Sequence, residues 1–265
     1  MNIFKFELKT NIKGIIIWSI SIICIVCLFA SMFTIYTEAK EQVFSILETY
    51  PPQTLSIIGI GDLETIFTYN GFFAFSITYV LLAVSIMNVY FGVNIFGREK
   101  ITKTSDFLFT KPKKRTKVFV EKLLAIFTVL IIINVFLFSS AYVMFLIYGS
   151  ASNFNTYLLM VISIFFIELV FVSIGILIAN FATKIKNPGG IATITVFSFF
   201  IIHLLQNILK EDKIKYINPF GYFNYQDIIK NNTYDIKFLV ISILIPLILL
   251  LISYTAFIKK DIPSQ

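Results

Sequence analysis

Six stretches of this chain are long enough to cross a bilayer and nearly free of charge, and they constrain its fold more than any other feature. They are Gly14 to Tyr36, Gly71 to Gly97, Leu123 to Thr156, Tyr157 to Thr183, Asn187 to Leu209 and Phe238 to Ile258, with Glu168 as their only charged residue. An α-helix rises ~1.5 Å per residue, so about 20 apolar residues match a hydrocarbon layer ~30 Å thick. Lipid offers no hydrogen bonds, so a spanning segment must satisfy its own backbone as a helix or a closed barrel. Barrel strands would alternate apolar and polar residues over ~10 positions, and no such alternation is present. Hydrophobic residues make up 57 % of the chain and charged residues 14 %, against about 25 % charged in a water-soluble domain. The expected fold is therefore all-α, a single transmembrane domain over residues 1–265. Its spans are expected at 14–36, 71–97, 121–148, 156–183, 188–209 and 238–258.

The first apolar run is longer than the core of a cleavable signal peptide, and no small-x-small site precedes the next charges. Cys24 and Cys27 form a CxxC inside that run. A redox or zinc site there would need water and, for zinc, two more ligands, so both are read as packing residues.

Orientation follows the basic residues of the short loops. Six spans put both termini on one side, which holds 16 of the 22 Lys and Arg residues; the other side has six, with nine acids. Both termini are expected in the cytoplasm. The net charge of +7 is a topology signal, and no nucleic-acid partner is expected.

Residues 1–13 read as an amphipathic interfacial helix, with Phe4, Leu8 and Ile12 on one face and Lys5, Lys9 and Lys13 beside it. In the first outer loop, Val43, Ile46 and Leu47 fit one face of a short helix that Pro51 and Pro52 must end. The inner loop REKITKTSDFLFTKPKKRTKVFVEK contains a helical stretch with Ile101, Ser105 and Leu108 on one face, which Pro112 breaks before a basic cluster. Such a helix suits either a cytoplasmic partner or lipid headgroups. The last outer loop has an aromatic core, NPFGYFNY, with turns at Pro219 and Gly221. It reads as an interfacial belt or as short helices dipping into the outer leaflet.

No nucleophile–base pair, carboxylate pair or metal cluster is evident. Glu168 and His203 are the two ionisable side chains within the spans. Such groups suggest function by default: Glu168 is expected between helices or along a pathway, bonded to His203 or a nearby hydroxyl. The spacing of Phe199, His203 and Asn207 superficially matches an intramembrane protease of the CAAX-processing type. That family needs a paired-glutamate motif and a second His, and this chain has no Glu-Glu and one His.

The order of these parts resembles the membrane subunit of ABC-2 type transporters over nearly the whole chain. The likeness includes PPQTLSIIGIGDLETIFTYNGFF ahead of the second span and NPFGYF ahead of the sixth. Its strongest part is the inner loop, where Glu99, Thr104, Leu108, Pro112, Arg115 and Lys122 match the family pattern; Lys103 stands where the family often has Gly. The resemblance implies a type V exporter-like permease and a coupling helix at 98–111, involving Arg98, Glu99, Ile101, Thr104, Ser105, Leu108, Pro112 and Arg115. It implies two copies of a separate ABC ATPase and a second permease copy or paralogue forming a dimer, all among membrane lipids of a bacterial cell membrane. This chain would bind no cofactor, since it lacks a Walker A sequence; ATP and Mg would sit on the ATPase. Pro219, Phe220, Tyr222 and Phe223 would shape an outer gate. Small systems of this kind export amphipathic peptides such as phenol-soluble modulins or bacteriocins, and the apolar spans suit such a cargo. The alternative is a non-transporting immunity or sensor subunit of the same fold.

Overall fold

A computed structural model describes residues 2–51, 54–55, 59–61, 63–102, 114–209 and 212–259. Among them there are helices and turns and no strand. Six helices are long and apolar enough to cross a membrane: α1 (Ile3–Glu38), α3 (Tyr69–Phe96), α5 (Arg115–Tyr148), α6 (Phe154–Phe181), α7 (Pro188–Leu209) and α9 (Ile236–Lys259). Shorter helices among the described residues are α2 (Lys40–Glu48) after a turn at Ala39, α4 (Arg98–Ile101) directly after α3, and α8 (Tyr225–Asn231) ahead of α9.

Local chemistry sets several helix ends. Thr68 Oγ1 accepts from Gly71 N (3.1 Å) at the start of α3, and Asn153 Oδ1 accepts from Asn155 N (2.9 Å) at the start of α6. These caps satisfy donors that an isolated first turn leaves bare. Gly97 and Gly149 close α3 and α5, where their N–H groups reach back to Val93 O (2.8 Å) and Phe145 O (2.7 Å).

The central pair is α3 and α6, apolar all round and buried along most of their length. They approach closely because glycines face each other. A Cβ on Gly92 would stand 2.8 Å from Val172 O, and one on Gly175 would stand 2.6 Å from Val89 O. Small residues let backbones approach in lipid, where dispersion and helix–helix hydrogen bonds replace the hydrophobic effect. Around this pair α1 packs on α5, α9 on α6 and α7 on α3. Most of α7 and α9 remains uncovered.

Residues 3–13 do not form a separate interfacial helix. α1 runs unbroken for 36 residues, a length of ~54 Å that exceeds a bilayer core. It contains no proline, and Gly14 packs against the ring of Phe91 instead of marking a turn. The buried stripe is Ile3, Glu7, Asn11, Ile15, Ser19, Ile22, Val26 and Ala30. Phe4, Leu8 and Ile12 lie beside it, and Ile12 is half exposed. Polar partners on α3 and α4 draw the Glu7–Asn11 row inward, which hydropathy alone does not anticipate. In α2 the more covered residues are Val43, Phe44 and Leu47, while Ile46 is exposed.

Candidate functional site

The face that carries the start of α1 and the end of α9 holds a buried ionic cluster at the root of the loop between α3 and α5. Arg98 Nε donates to Glu7 Oε2 at 2.7 Å. Lys122, fully buried on α5, places Nζ 2.7 Å from Glu99 Oε1 and 3.4 Å from Glu7 Oε1, and donates to Ile95 O at 2.6 Å. Asn94 Nδ2 donates to Asn11 Oδ1 (2.7 Å), and Ile3 N donates to Glu121 Oε2 (2.7 Å). Two carboxylates thus face two cations across three helices, α1, α4 and α5, with Glu7 and Lys122 essentially removed from solvent. Burying a charge is costly unless it is paired and hydrogen-bonded, and here each charge meets a partner.

The same loop anchors further spans. Lys100 Nζ donates to Asn180 O (3.1 Å), Ala182 O (2.8 Å) and Ala179 O, the last carbonyls of α6. Arg115 Nη1 donates to Ile258 O (2.9 Å) near the end of α9. With Lys122 on Ile95 O, a cation from this segment caps the C-terminal end of α3, α6 and α9 in turn. A helix C-terminus leaves carbonyls unsatisfied and carries partial negative charge, so a cation there is favourable. Displacing residues 98–100 or 115 would therefore pull on α1, α3, α6 and α9 together.

Of the residues predicted for the coupling helix, Arg98, Glu99, Ile101 and Arg115 belong to this assembly or its edge. Thr104, Ser105, Leu108 and Pro112 lie outside the described residues, so the helix predicted at 98–111 is described only for its first turn, α4. Sequence reasoning missed Glu7, Asn11, Asn94 and Lys100 as parts of one site, and it singled out Lys122 only as a position matching the family's loop pattern. A signal existed: Glu7 is the one acidic residue in the first turns of α1, and Asn11 follows it at i+4 on the same face.

Among the described residues, Glu168 is bonded neither to His203 nor to a hydroxyl. Its carboxylate accepts from Asn134 Nδ2 of α5, with Asn88 of α3 beside it. α6 turns this carboxyl towards α5 and α3. His203, on α7, has Asn207 Nδ2 3.5 Å from its Nε2 and the Phe220 ring at 6.1 Å.

Pro219, Phe220, Tyr222 and Phe223 are all buried at the opposite face. Asn218 Oδ1 accepts from Phe220 N (3.2 Å) and sets a 3-10 turn over Pro219–Gly221. Phe220 packs on Phe171 (5.1 Å) and Phe200 (5.9 Å), and Phe223 on Tyr234 (5.2 Å) and Phe166 (6.1 Å). Burial pushes the Tyr222 hydroxyl up to about 12, so it stays neutral. With Tyr222 packed on Phe238 of α9 (6.1 Å), this loop is a packed cover that ties α6, α7 and α9 together. Beneath it lies a cavity of about 450 Å³ reached by His203, Gln206, Asn207 and Gln226.

Six apolar helices and a loop braced to their ends define a multi-pass membrane protein of the permease type. The family model described as ABC-2 family transporter protein matches residues 1–262, and the chain belongs to that family. It is thus the membrane subunit of an ABC transporter, a class whose members are not themselves enzymes and work with an ABC ATPase partner. Comparison with curated proteins and with solved structures returned no match.

Proposed function

We propose that this chain is the permease of an ATP-driven exporter in a bacterial cytoplasmic membrane, with both termini in the cytoplasm. Two copies, or one copy and a paralogue, pair with two ATPase subunits among membrane lipids. Its cargo is amphipathic, best matched by antimicrobial or toxin-like peptides, and this chain binds no cofactor of its own. Residues 98–111 act as the coupling helix that docks on the ATPase.

One observation carries this reading: the cations of the α3–α5 loop and of α5 are bonded to the carbonyl ends of α3, α6 and α9. A loop fixed in this way converts a push from a partner into movement of several spans at once. ATP binding on the partner would then shift the population between inward- and outward-facing arrangements. The basic residues crowded on this face support its placement in the cytoplasm. The apolar spans, with the carboxyl of Glu168 enclosed, favour an amphiphile over an ion as cargo.

The test is ATPase activity of the complex reconstituted in proteoliposomes, read against a panel of amphipathic peptides, lipids and drugs. Stimulation by peptides is expected, and indifference to every peptide overturns the cargo assignment. Substituting Leu108 or Glu99 is expected to abolish stimulation or release the ATPase; unchanged binding and stimulation overturn the coupling role.

A further inference from the structure

The carboxyl of Glu168 and the carboxamide of Asn134 leave two buried oxygens unanswered. Asn134 Nδ2 donates to Leu130 O (3.0 Å) on its own helix and to Glu168 Oε2 on α6. Both amide hydrogens are thereby spent on acceptors, which fixes which end of the carboxamide is nitrogen. A flipped amide would aim its oxygen at two other acceptors. Asn134 Oδ1 and Glu168 Oε1 are left over, each buried and without a hydrogen-bond partner among the described residues. Both belong to the same bonded pair, and an unmet buried polar atom is destabilising.

No opposite charge compensates this carboxyl. Among the described residues it meets the carboxamides of Asn134 on α5 and Asn88 on α3, and no charged or titratable side chain of either helix. α9 lines the space beside Leu169 with Ile243, Pro246 and Leu247. α8 brings the Tyr225 hydroxyl to Ser163 (3.4 Å), more than a helical turn from Glu168. The turn at Pro219–Gly221 has no titratable residue. An ionised carboxylate so enclosed is costly. Calcium or magnesium takes about six oxygens or more, so two free oxygens suit a metal poorly. A proton on Oε1 removes the charge and makes that oxygen a donor, and Asn134 Oδ1 is the free acceptor of the same pair. We propose that Glu168 is a proton-binding site, held as the neutral acid and clasped to Asn134 by two reciprocal hydrogen bonds.

The clasp joins α5 to α6, which otherwise touch little. On one side of it the Tyr157 hydroxyl donates to Ala141 O (2.9 Å). On the other an apolar cavity of about 120 Å³ lies between α5, α6 and α9, lined by Leu123, Ile126, Leu169 and Val172 among others. Water entering this seam would compete for both bonds and take up the proton, so proton occupancy and the α5–α6 contact are reciprocally linked.

The test is infrared difference spectroscopy of the full chain in phosphatidylglycerol nanodiscs at neutral pH, wild type minus Glu168→Gln. The C=O band of a protonated carboxyl is expected in the wild type and not in the variant. Its absence overturns the proposal, whether Glu168 proves ionised or its oxygens prove to be held by trapped water. The spectrum is repeated in sodium chloride and in choline chloride; an acid band confined to choline assigns the site to a metal cation instead. Asn134→Leu should shift the acid band, because it removes both hydrogen bonds, and an unmoved band overturns the pairing. Glutamine keeps both bonds, its N–H replacing the hydroxyl, so Glu168→Gln should unfold in SDS at the wild-type midpoint. A fall as large as that of Glu168→Leu overturns the clasp. Should Asn134→Leu not fold, the Glu168→Gln midpoint decides the pairing alone. Neither readout involves nucleotide or cargo, so this site stands or falls separately from the exporter reading.

Discussion

Replacing Lys122 by Met keeps most of the side-chain volume and removes one charge from the cluster at the root of the α3–α5 loop. Arg98 and Lys122 balance Glu7 and Glu99 in the native protein. Without Lys122 one negative charge is left over, Glu99 loses its near partner, and Ile95 O loses the donor that holds it at 2.6 Å. Lys122 is 0 % exposed and Glu7 1 %, while the Glu99 side chain keeps 15 %, so water can take over only in part. Breaking a buried pair by removing one partner costs about 3–5 kcal/mol. Adding Glu99→Gln restores the balance, and the double variant should come back to within about 1–2 kcal/mol of wild type, the scale of a hydrogen bond or two. The assay is SDS-driven unfolding in mixed micelles, followed by tryptophan fluorescence from Trp18. A single-variant cost below about 1 kcal/mol, typical of solvent-exposed pairs, would refute the reasoning. A double variant no more stable than the single one would refute it too.

Gly175→Val should disrupt the α3–α6 contact, since even its Cβ would stand 2.6 Å from Val89 O. A loss of about 1–3 kcal/mol or more is expected in the same unfolding assay, whereas Gly189→Ala, 3.4 Å from the end of the Asn187 side chain, should be near neutral. Asn134→Leu takes away the donor to Glu168 and should cost about 1–3 kcal/mol; combining it with Glu168→Leu should recover most of that, and an additive double variant would contradict the pairing. Lys100→Met uncovers the terminal carbonyls of α6, so hydrogen exchange should rise at residues 178–182 and 97–101 while the middle of α6 stays protected. Unchanged exchange in both segments would show that Lys100 does not hold them together.

Much of the fold could be read from the chain because the membrane imposes a local rule. Each span must carry about 20 uncharged residues whatever it packs against, so hydropathy locates α3, α5, α6, α7 and α9 without tertiary information. The end of α3 at Gly97 and the 3-10 turn at Pro219 were likewise readable, since a glycine or an Asn-Pro step sets backbone geometry by itself. The unbroken course of α1 was not readable: a row of lysines beside apolar residues fits an interfacial helix as well as a packed one. Only the partners of Glu7 and Asn11 choose between them.

Partner choice was the work of tertiary structure throughout. Glu7 meets Arg98 across 91 positions of sequence, and Lys100 reaches the carbonyls of α6 some 80 residues away. Glu168 was correctly singled out as a buried ionisable group, yet its partner proved to be Asn134 and not His203. A buried charge must find some partner, which the sequence by itself reveals. Which one it finds depends on how six helices rotate and slide against each other, and that is decided by packing contacts such as Gly92 against Gly175. The chain alone thus determined how many apolar spans it has and that Glu168, inside one of them, had to be satisfied. The assembled bundle decided which charges meet, because distance through space, unlike hydropathy, is not a property of any one segment.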